Sequence, residues 1–222
     1  MSKDLAPALK ADLVKIESRK NDHLELGLQM FKAYGGTLYG LDMLAIGALK
    51  RSMAHCAGFT RLLEDSNFIC AASILRLQLD NALRFYAAFL VDKPHDFATA
   101  VLAGTPVRKL KDREGKLMRD AYLVESLSRE YPWIPRVYKE TSGYIHLSEK
   151  HIFNAIAGFD ANENSAQIEI SSEDIDLPES IYAEAIQAFI ASTDIFLRYV
   201  KGWIFTKANP EVVAKRLHGD PK

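Results

Sequence analysis

The chain has 222 residues, of which 48% are hydrophobic; this is enough to bury the core of one large domain or two small ones, and it excludes a disordered or fibrous protein. The 28 Lys and Arg residues are balanced by 29 Asp and Glu residues, so any contact with RNA or DNA requires a local basic patch. Without an apolar signal region or an uncharged run of roughly 20 apolar residues, the sequence predicts a cytoplasmic protein with no membrane partner. Cys56 and Cys70 are predicted to be buried free thiols.

Apolar residues at helical spacing predict three long helices in the first half of the chain. The first begins at Leu5 and ends at Gly35-Gly36, where helix propensity is lost, and the second follows these glycines. The third segment, residues 66–92, is apolar around most of its circumference. This distribution predicts a helix at the centre of a bundle.

Shorter helices are predicted in the middle of the chain. Pro94 and Gly104 bound the first of them, and a basic linker leads to a second at about residues 116 to 130. Pro135 lies in the first turn of a third helix, which is predicted to end near Gly143.

The final long segment has one apolar face with the spacing of a buried helix. Its residues are Ile181, Ala185, Ala188, Phe189, Ser192, Ile195, Phe196, Tyr199 and Trp203. We therefore predict a mainly α fold, an up-and-down helical bundle with a small β-hairpin insertion, in a single helical domain over residues 1–222. The core bundle is predicted at about 5–205, the β insertion at about 152–171 and a short C-terminal helix at 210–218.

Three charged side chains on the central helix form the first candidate site. Arg76, Asp80 and Arg84 are spaced i, i+4 and i+8, so they lie on one side of the helix. Arg76 projects from the apolar face, where a charge needs a partner. Asp80 supplies one carboxylate, and two interpretations follow: an internal ion pair that sets helix register, or an arginine whose remaining donors bind phosphate or another ligand.

The stretch TSGYIHLSEKHIF, residues 141–153, is the second candidate site. His146 is flanked by hydroxyl-bearing residues and can act as a general acid or base near neutral pH; the alternative is a core histidine bonded to a carbonyl oxygen. His146 and His151 are five residues apart, or 140° around a helix, so we predict no metal site, and no other cofactor is expected. Ser148 is predicted to cap a helix.

Two Arg-His pairs and one basic run complete the polar features. Arg19 with His23 and Arg51 with His55 have i, i+4 spacing and are predicted to lie on exposed polar faces. The mixed-charge run at residues 108–116 is predicted to be a solvated loop.

Two quoted segments carry a resemblance to a known class of proteins. ILRLQLDNALRFY on the central helix and YKETSGYIHLSEKHI further on, followed by a short β-like insertion and a closing helix, resemble uncharacterised bacterial HEPN-like (higher eukaryotes and prokaryotes nucleotide-binding) helical proteins over roughly residues 66–205. The resemblance implies a helical bundle, a homodimer, and membership of a class that includes metal-independent RNases of toxin and defence systems. Those RNases carry Arg, four to six residues, then His, whereas nine residues separate Arg136 from His146 here.

The first expected function is RNA cleavage without a metal, or the binding of RNA or a nucleotide. His146 would move the proton of the 2′-hydroxyl or of the leaving group, while Arg76 and Arg84 would stabilise charge on the phosphate. The predicted substrate-binding residues are Asp80, Tyr144, Ser142 and Tyr138.

The alternative is a non-enzymatic interaction protein or dimerisation module. In that case Arg76, Asp80 and His146 form a structural network that orders helix packing or a dimer interface. A third possibility, a small-molecule sensor, predicts an apolar cavity lined by Phe85, Tyr86 and Phe89.

Overall fold

Long amphipathic helices form the body of the protein, and shorter helices and one β-hairpin are attached to it. The structure, a computed structural model, describes residues 5–160, 164–168, 170–174 and 177–211. The helices are α1 (Pro7–Lys32), α2 (Gly40–Glu64), α3 (Phe68–Tyr86), α4 (Pro94–Leu102), α5 (Asp120–Ser128), α6 (Ile134–Ile145), α7 (Glu149–Asn154) and α8 (Glu179–Ala208), and the strands are β1 (Ile156–Asp160) and β2 (Ser165–Ile168). Among these helices, none has both the length and the apolarity that a membrane crossing requires.

Four of these helices close into a ring around the core. Helix α1 packs on α2, α2 on α3, α3 on α8, and α8 returns to α1. The third helix is central as predicted, because it also packs against α5 and α6 and eleven of its 19 residues are buried. The rings of Phe59 and Phe189 stack in this core with their centroids 4.2 Å apart. The predicted mainly α bundle with a hairpin is confirmed.

The turn between α1 and α2 lies where the sequence predicts it. Residues Ala33–Gly36 form a 3-10 turn in which Gly35 and Gly36 have φ of +63° and +83°. Glycine adopts these angles without the steric cost that a Cβ atom would add. Helix α1 ends at Lys32, before Ala33 with its extended angles, and the paired glycines then reverse the chain.

His23 and His55 are buried, with exposed fractions of 2% and 7%, so the prediction of exposed polar faces is wrong for both. The Nδ1 of His23 donates to a carbonyl oxygen one turn back (2.6 Å), and its Nε2 accepts from the Ser52 hydroxyl (2.8 Å). His55 Nδ1 donates to Gln78 Oε1 (2.9 Å), and Gln78 Nε2 donates to Ser52 (2.8 Å) and Thr193 (3.0 Å). These bonds form one network across α1, α2, α3 and α8.

Burial lowers the pKa of both histidines, because a charged imidazole is poorly solvated inside the bundle. All the hydrogen bonds described for His23 and His55 form with both imidazole rings neutral. Each of the network's five side chains makes at least one hydrogen bond inside the bundle, as buried polar residues require.

A second buried polar cluster joins the end of α1, the start of α2 and the end of α8. The side chains of Asp42 and Lys207 are fully buried and pair at 2.9 Å. Asp42 also accepts from Trp203 Nε1 (2.8 Å) and from the backbone N–H of Tyr39 (2.7 Å). Lys207 Nζ donates to the carbonyl oxygen of Met30 (2.8 Å). The ion pair therefore links the end of α1, the start of α2 and the end of α8.

After α6 the chain leaves the bundle as an arm, which we define as the described residues between 145 and 170. Ser148 caps α7 as predicted, and its hydroxyl accepts from the backbone N–H of Lys150. Strands β1 and β2 then pair antiparallel, with Ile156 opposite Ile168. Both strands lie within the predicted β insertion. Of the predicted C-terminal helix at 210–218, residues 212–218 lie outside the described part of the chain.

Both ends of the arm are attached near the start of α3. At its entry, the Ser73 hydroxyl donates to the carbonyl oxygen of Tyr144 (3.0 Å). Just beyond its exit, the Asp174 N–H donates to the carbonyl oxygen of Ser66 (2.8 Å), and the Asp174 carboxylate accepts from the N–H of Phe68 (2.6 Å). Burial raises the pKa of Asp174. The arm thus begins and ends close to one point of the bundle.

Candidate functional site

The Arg76, Asp80 and Arg84 ladder forms the centre of a cluster of charges. Asp80 lies 3.1 Å from Arg84 Nε, 3.7 Å from Arg51 Nη1 and 3.9 Å from Arg76 Nη1. The i, i+4 spacing on α3 predicts two of these contacts, and α2 supplies the third. One carboxylate is therefore shared by three guanidinium groups.

Asp120, at the start of α5, is the second carboxylate of this cluster and was not predicted. It accepts hydrogen bonds from Arg84 Nη2 and from the Tyr138 hydroxyl (2.9 Å), and it lies 3.8 Å from Arg76 Nη2. Burial alone would raise the pKa of Asp120, but the bonds from Arg84 and Tyr138 and the charge of Arg76 hold it below its usual value. Burial alone would lower the pKa of the Arg84 guanidinium, but the carboxylates of Asp80 and Asp120 raise it above its usual value.

Arg76 itself is only 9% exposed, and its partners are internal. Its guanidinium carbon lies 3.7 Å from the centroid of the Tyr138 ring, and its Nε donates to the Ser142 hydroxyl at 3.4 Å. Asp80 and Asp120 lie within ion-pair distance of its Nη1 and Nη2 (3.9 and 3.8 Å), so the charge of Arg76 is compensated by carboxylates of the protein itself. The geometry favours the internal ion pair over the ligand-binding arginine.

The other two predicted site residues, Tyr144 and His146, lie away from this cluster. Tyr144 is 200° around α6 from Ser142, and its ring packs edge-on against Phe68 instead. Helix α6 ends at Ile145, and His146 has extended angles (φ −113°, ψ 147°) and an exposed side chain. Within the described part of the chain, His146 makes no hydrogen bond, ion pair or ring contact. The structure therefore does not assemble His146 with Arg76 and Asp80.

A groove of about 650 Å³ opens on the opposite face of α6, between α3, α6 and α8. Its lining is mostly apolar and includes Phe68, Leu75, Trp133, Val137, Tyr144 and Ala188. Phe85, predicted to line an apolar cavity, is instead buried in the core. The groove has the size and apolar character of small-molecule sites.

A shallow basic recess of about 560 Å³ lies beside Asp120, on the outer side of the charge cluster. Arg108, Lys109 and Arg119 line it, and none of them has a carboxylate within ion-pair distance among the described residues. The run at residues 108–116 is mostly exposed and irregular, as predicted, and Asp112 stabilises its turn by accepting from the N–H groups of residues 114 and 116 (3.0 and 2.8 Å). The recess is therefore a local basic patch on a chain whose formal net charge is only −1.

The grouping of the His, Cys, Asp and Glu side chains bears on metal binding, and the surroundings of the cysteines bear on thiol chemistry. Within the described ranges, no group of three or more His, Cys, Asp or Glu side chains is placed to hold a metal ion. Both cysteines are free, but only Cys56 is buried, so the predicted burial of Cys70 is wrong. Burial raises the pKa of the Cys56 thiol to about 11, which keeps it protonated and a poor nucleophile at neutral pH.

The chain matches no protein-family model, and comparisons with curated proteins and with solved structures give no match either. The HEPN-like resemblance stays a prediction.

Proposed function

We propose that the protein is a non-enzymatic interaction protein that forms a homodimer through its arm. The observation that carries the proposal is a set of large apolar side chains exposed on this one segment. They are Ile145, Leu147, Ile152, Phe153, Ile156, Ile168 and Ile170, and their exposed fractions run from 39% to 97%. Several large, exposed apolar side chains on one short segment are typical of a protein interaction surface.

The backbone of the hairpin supports a second copy of the chain as the partner. The sheet has only the strands β1 and β2 among the described residues, so each strand has one edge with unpaired N–H and C=O groups. Strand β2 is exposed along its whole length, and an isolated two-stranded hairpin is marginal in water. Two hairpins related by a two-fold axis can pair edge to edge and cover both apolar faces.

The charge cluster fits a structural role in this protein. Two carboxylates and three arginines join α2, α3 and α5, with Tyr138 and Ser142 from α6 completing the contacts. Such a network orients helices. It holds α6, and therefore the base of the arm, against α3.

Sedimentation velocity over a range of concentrations tests the proposal. We expect the wild-type chain to sediment as a dimer, and the double variant Leu147→Glu/Ile170→Glu to weaken dimerisation at least roughly 30-fold, because two charges per subunit enter an apolar interface. Both side chains are highly exposed, so neither substitution disturbs the core.

Leu28→Glu is the matched control, because Leu28 is a 60% exposed apolar residue on α1. This variant is expected to remain dimeric. A wild-type chain that stays monomeric at every concentration contradicts the proposal. Dissociation by Leu28→Glu alone would place the interface on α1 and remove the arm from it.

The basic recess favours RNA or nucleotide binding as a second candidate function. Arg108, Lys109 and Arg119 supply positive charge without an ion-pair partner among the described residues, and Asp120 beside them is neutralised from the inner side by Arg84 and Arg76. Backbone phosphates bind such patches through charge, without base recognition. The recess supports binding; it does not bring His146 to a phosphate.

Incubation of the purified protein with mixed RNA in chelator separates binding from cleavage. We expect the wild-type chain and the His146→Ala variant to leave the RNA equally intact, because His146 has no charged partner in the described structure. A shift of labelled RNA that is lost in Arg108→Ala/Arg119→Ala would support binding at the recess. Cleavage by the wild type that His146→Ala abolishes would restore the RNase hypothesis.

A further inference from the structure

The groove between α3, α6 and α8 is built from one face of each helix. Val137, Thr141 and Tyr144 follow one another along α6, and Ala185 and Ala188 face them from α8. Because the α8 side chains are small, they leave open a space that larger residues would fill. The floor is the buried apolar surface of α3.

Most of the charge around the mouth of the groove is paired. Arg136 lies 3.0 Å from Glu184 of α8 and 3.7 Å from Glu140, so this guanidinium bridges α6 and α8. These three groups leave one net negative charge at the mouth, on exposed side chains. An exposed charge of this kind is well screened by solvent.

Lys150 is the exception. The residue is half-buried and lines the groove. Its ammonium nitrogen lies 5.1 Å from the centroid of the Tyr144 ring, with no carboxylate within ion-pair distance among the described residues. Its stem crosses α6 at Gly143, where a Cβ atom would lie only 2.9 Å from Lys150 Cδ. Glycine at this position therefore allows the lysine to lie flat and hold its charge at the end of the groove.

From this combination we infer that the groove binds an anionic amphiphile, a small molecule with an apolar body and one carboxylate or similar anionic head. The apolar body lies over Phe68, Leu75 and Val137, and the head pairs with Lys150 above Tyr144. A volume of about 650 Å³ accommodates a medium-chain fatty acid. Lys150 belongs to the arm, but neither Leu147 nor Ile170, the residues changed in the dimer test, lines the groove, so the two proposals are tested separately.

Calorimetric titration of the full chain with decanoate, below its micelle concentration, tests the inference. We expect one molecule to bind per chain, and decanol, which has the same apolar body without the charge, to bind more weakly. Lys150→Gln is expected to weaken decanoate binding about five- to tenfold, as the loss of a partly exposed charge pair does, with little effect on decanol. Ala188→Phe fills the groove and is expected to abolish binding of both.

Two substitutions outside the groove are the controls. Lys139→Gln removes an exposed positive charge from the same helix α6, and Ala57→Phe adds the same bulk on the exposed face of α2. Both are expected to bind decanoate like the wild type. Circular dichroism confirms that each variant is folded, and Lys150→Gln decides the question if Ala188→Phe does not fold.

The inference is overturned if decanoate does not bind, or if Lys150→Gln binds it as tightly as the wild type. Binding that persists in a folded Ala188→Phe variant would place the ligand elsewhere on the chain. Equal affinity for decanoate and decanol would mean that the groove does not recognise the anionic head of the ligand.

Discussion

Replacing Asp42 with Ala is expected to lower the free energy of unfolding by about 3–5 kcal/mol, because it leaves the ammonium group of Lys207 buried without its counter-charge. The substitution also removes the acceptor of Trp203 Nε1 and of the Tyr39 N–H. Urea denaturation followed by circular dichroism measures the change. Since Asp42 joins three helices, the loss should appear in the single cooperative transition rather than as local fraying.

Asp65→Ala serves as the control for this substitution. Asp65 pairs with Arg61 at 3.3 Å, but both side chains are largely exposed, so its removal should cost about 0–1 kcal/mol. Replacing both partners of the buried pair, as Asp42→Leu/Lys207→Met, should recover most of the stability lost in Asp42→Ala. If Asp42→Ala were no more costly than Asp65→Ala, the buried pair would not stabilise the bundle as described.

The free energy of unfolding is also expected to fall as the pH drops below about 6.5, with a slope of at most about 1.4 kcal/mol per pH unit for each buried histidine. The pKa values of His23 and His55 are lowered in the folded state, so the unfolded chain binds protons first and acid favours unfolding. Burial is the largest cause of the lowered pKa values. The charges of Arg19 and Arg51 lower them further, and the carboxylates of Asp22, near His23, and Asp80, near His55, raise them.

The network explains why the protonated form is disfavoured. The Ser52 hydroxyl accepts from Gln78 and donates its one proton to His23 Nε2. A proton on that nitrogen would leave the hydroxyl without an acceptor.

Urea denaturation at a series of pH values from about 7 to 5 measures the slope, in a range where most carboxylates stay ionised. The variant His23→Gln/His55→Gln should lose most of the slope, although it is less stable at pH 7. His146→Gln, at an exposed histidine, should keep the wild-type slope. A wild-type stability that does not change over this range would mean that the histidines titrate equally in both states.

The sequence predicted the parts of the fold that depend on local pattern. The all-round apolar character of α3 predicted its central position. The spacing on α8 predicted most of its buried face; Ala188 and Tyr199 are only partly buried, and Ile181 is exposed. The contacts of Asp80 with Arg76 and Arg84 followed from i, i+4 spacing. Asp120 could not be predicted in the same way, because it lies 36 residues from Arg84 in the chain.

The burial of His23 differs from the sequence prediction although the sequence contains a signal for it. The i, i+4 spacing with Arg19 predicts an exposed face for His23. It also lies seven residues after Ile16 and seven before Met30, both of which are buried. This heptad spacing predicts burial, but the hydrogen bonds that make burial tolerable come from Ser52 and, through it, from other helices. Such partners are visible only in three dimensions.

The attachment of the arm at one point of the bundle has a consequence for how this region can vary. Its entry at Ser73 and its exit at Ser66 are two turns apart on the chain around the start of α3. The intervening segment is therefore a closed loop, and the entropy cost of closing a loop grows only with the logarithm of its length. Residues can be added to or removed from the arm at small thermodynamic cost to the bundle. The arm is thus the part of this molecule that is freest to acquire new length and shape.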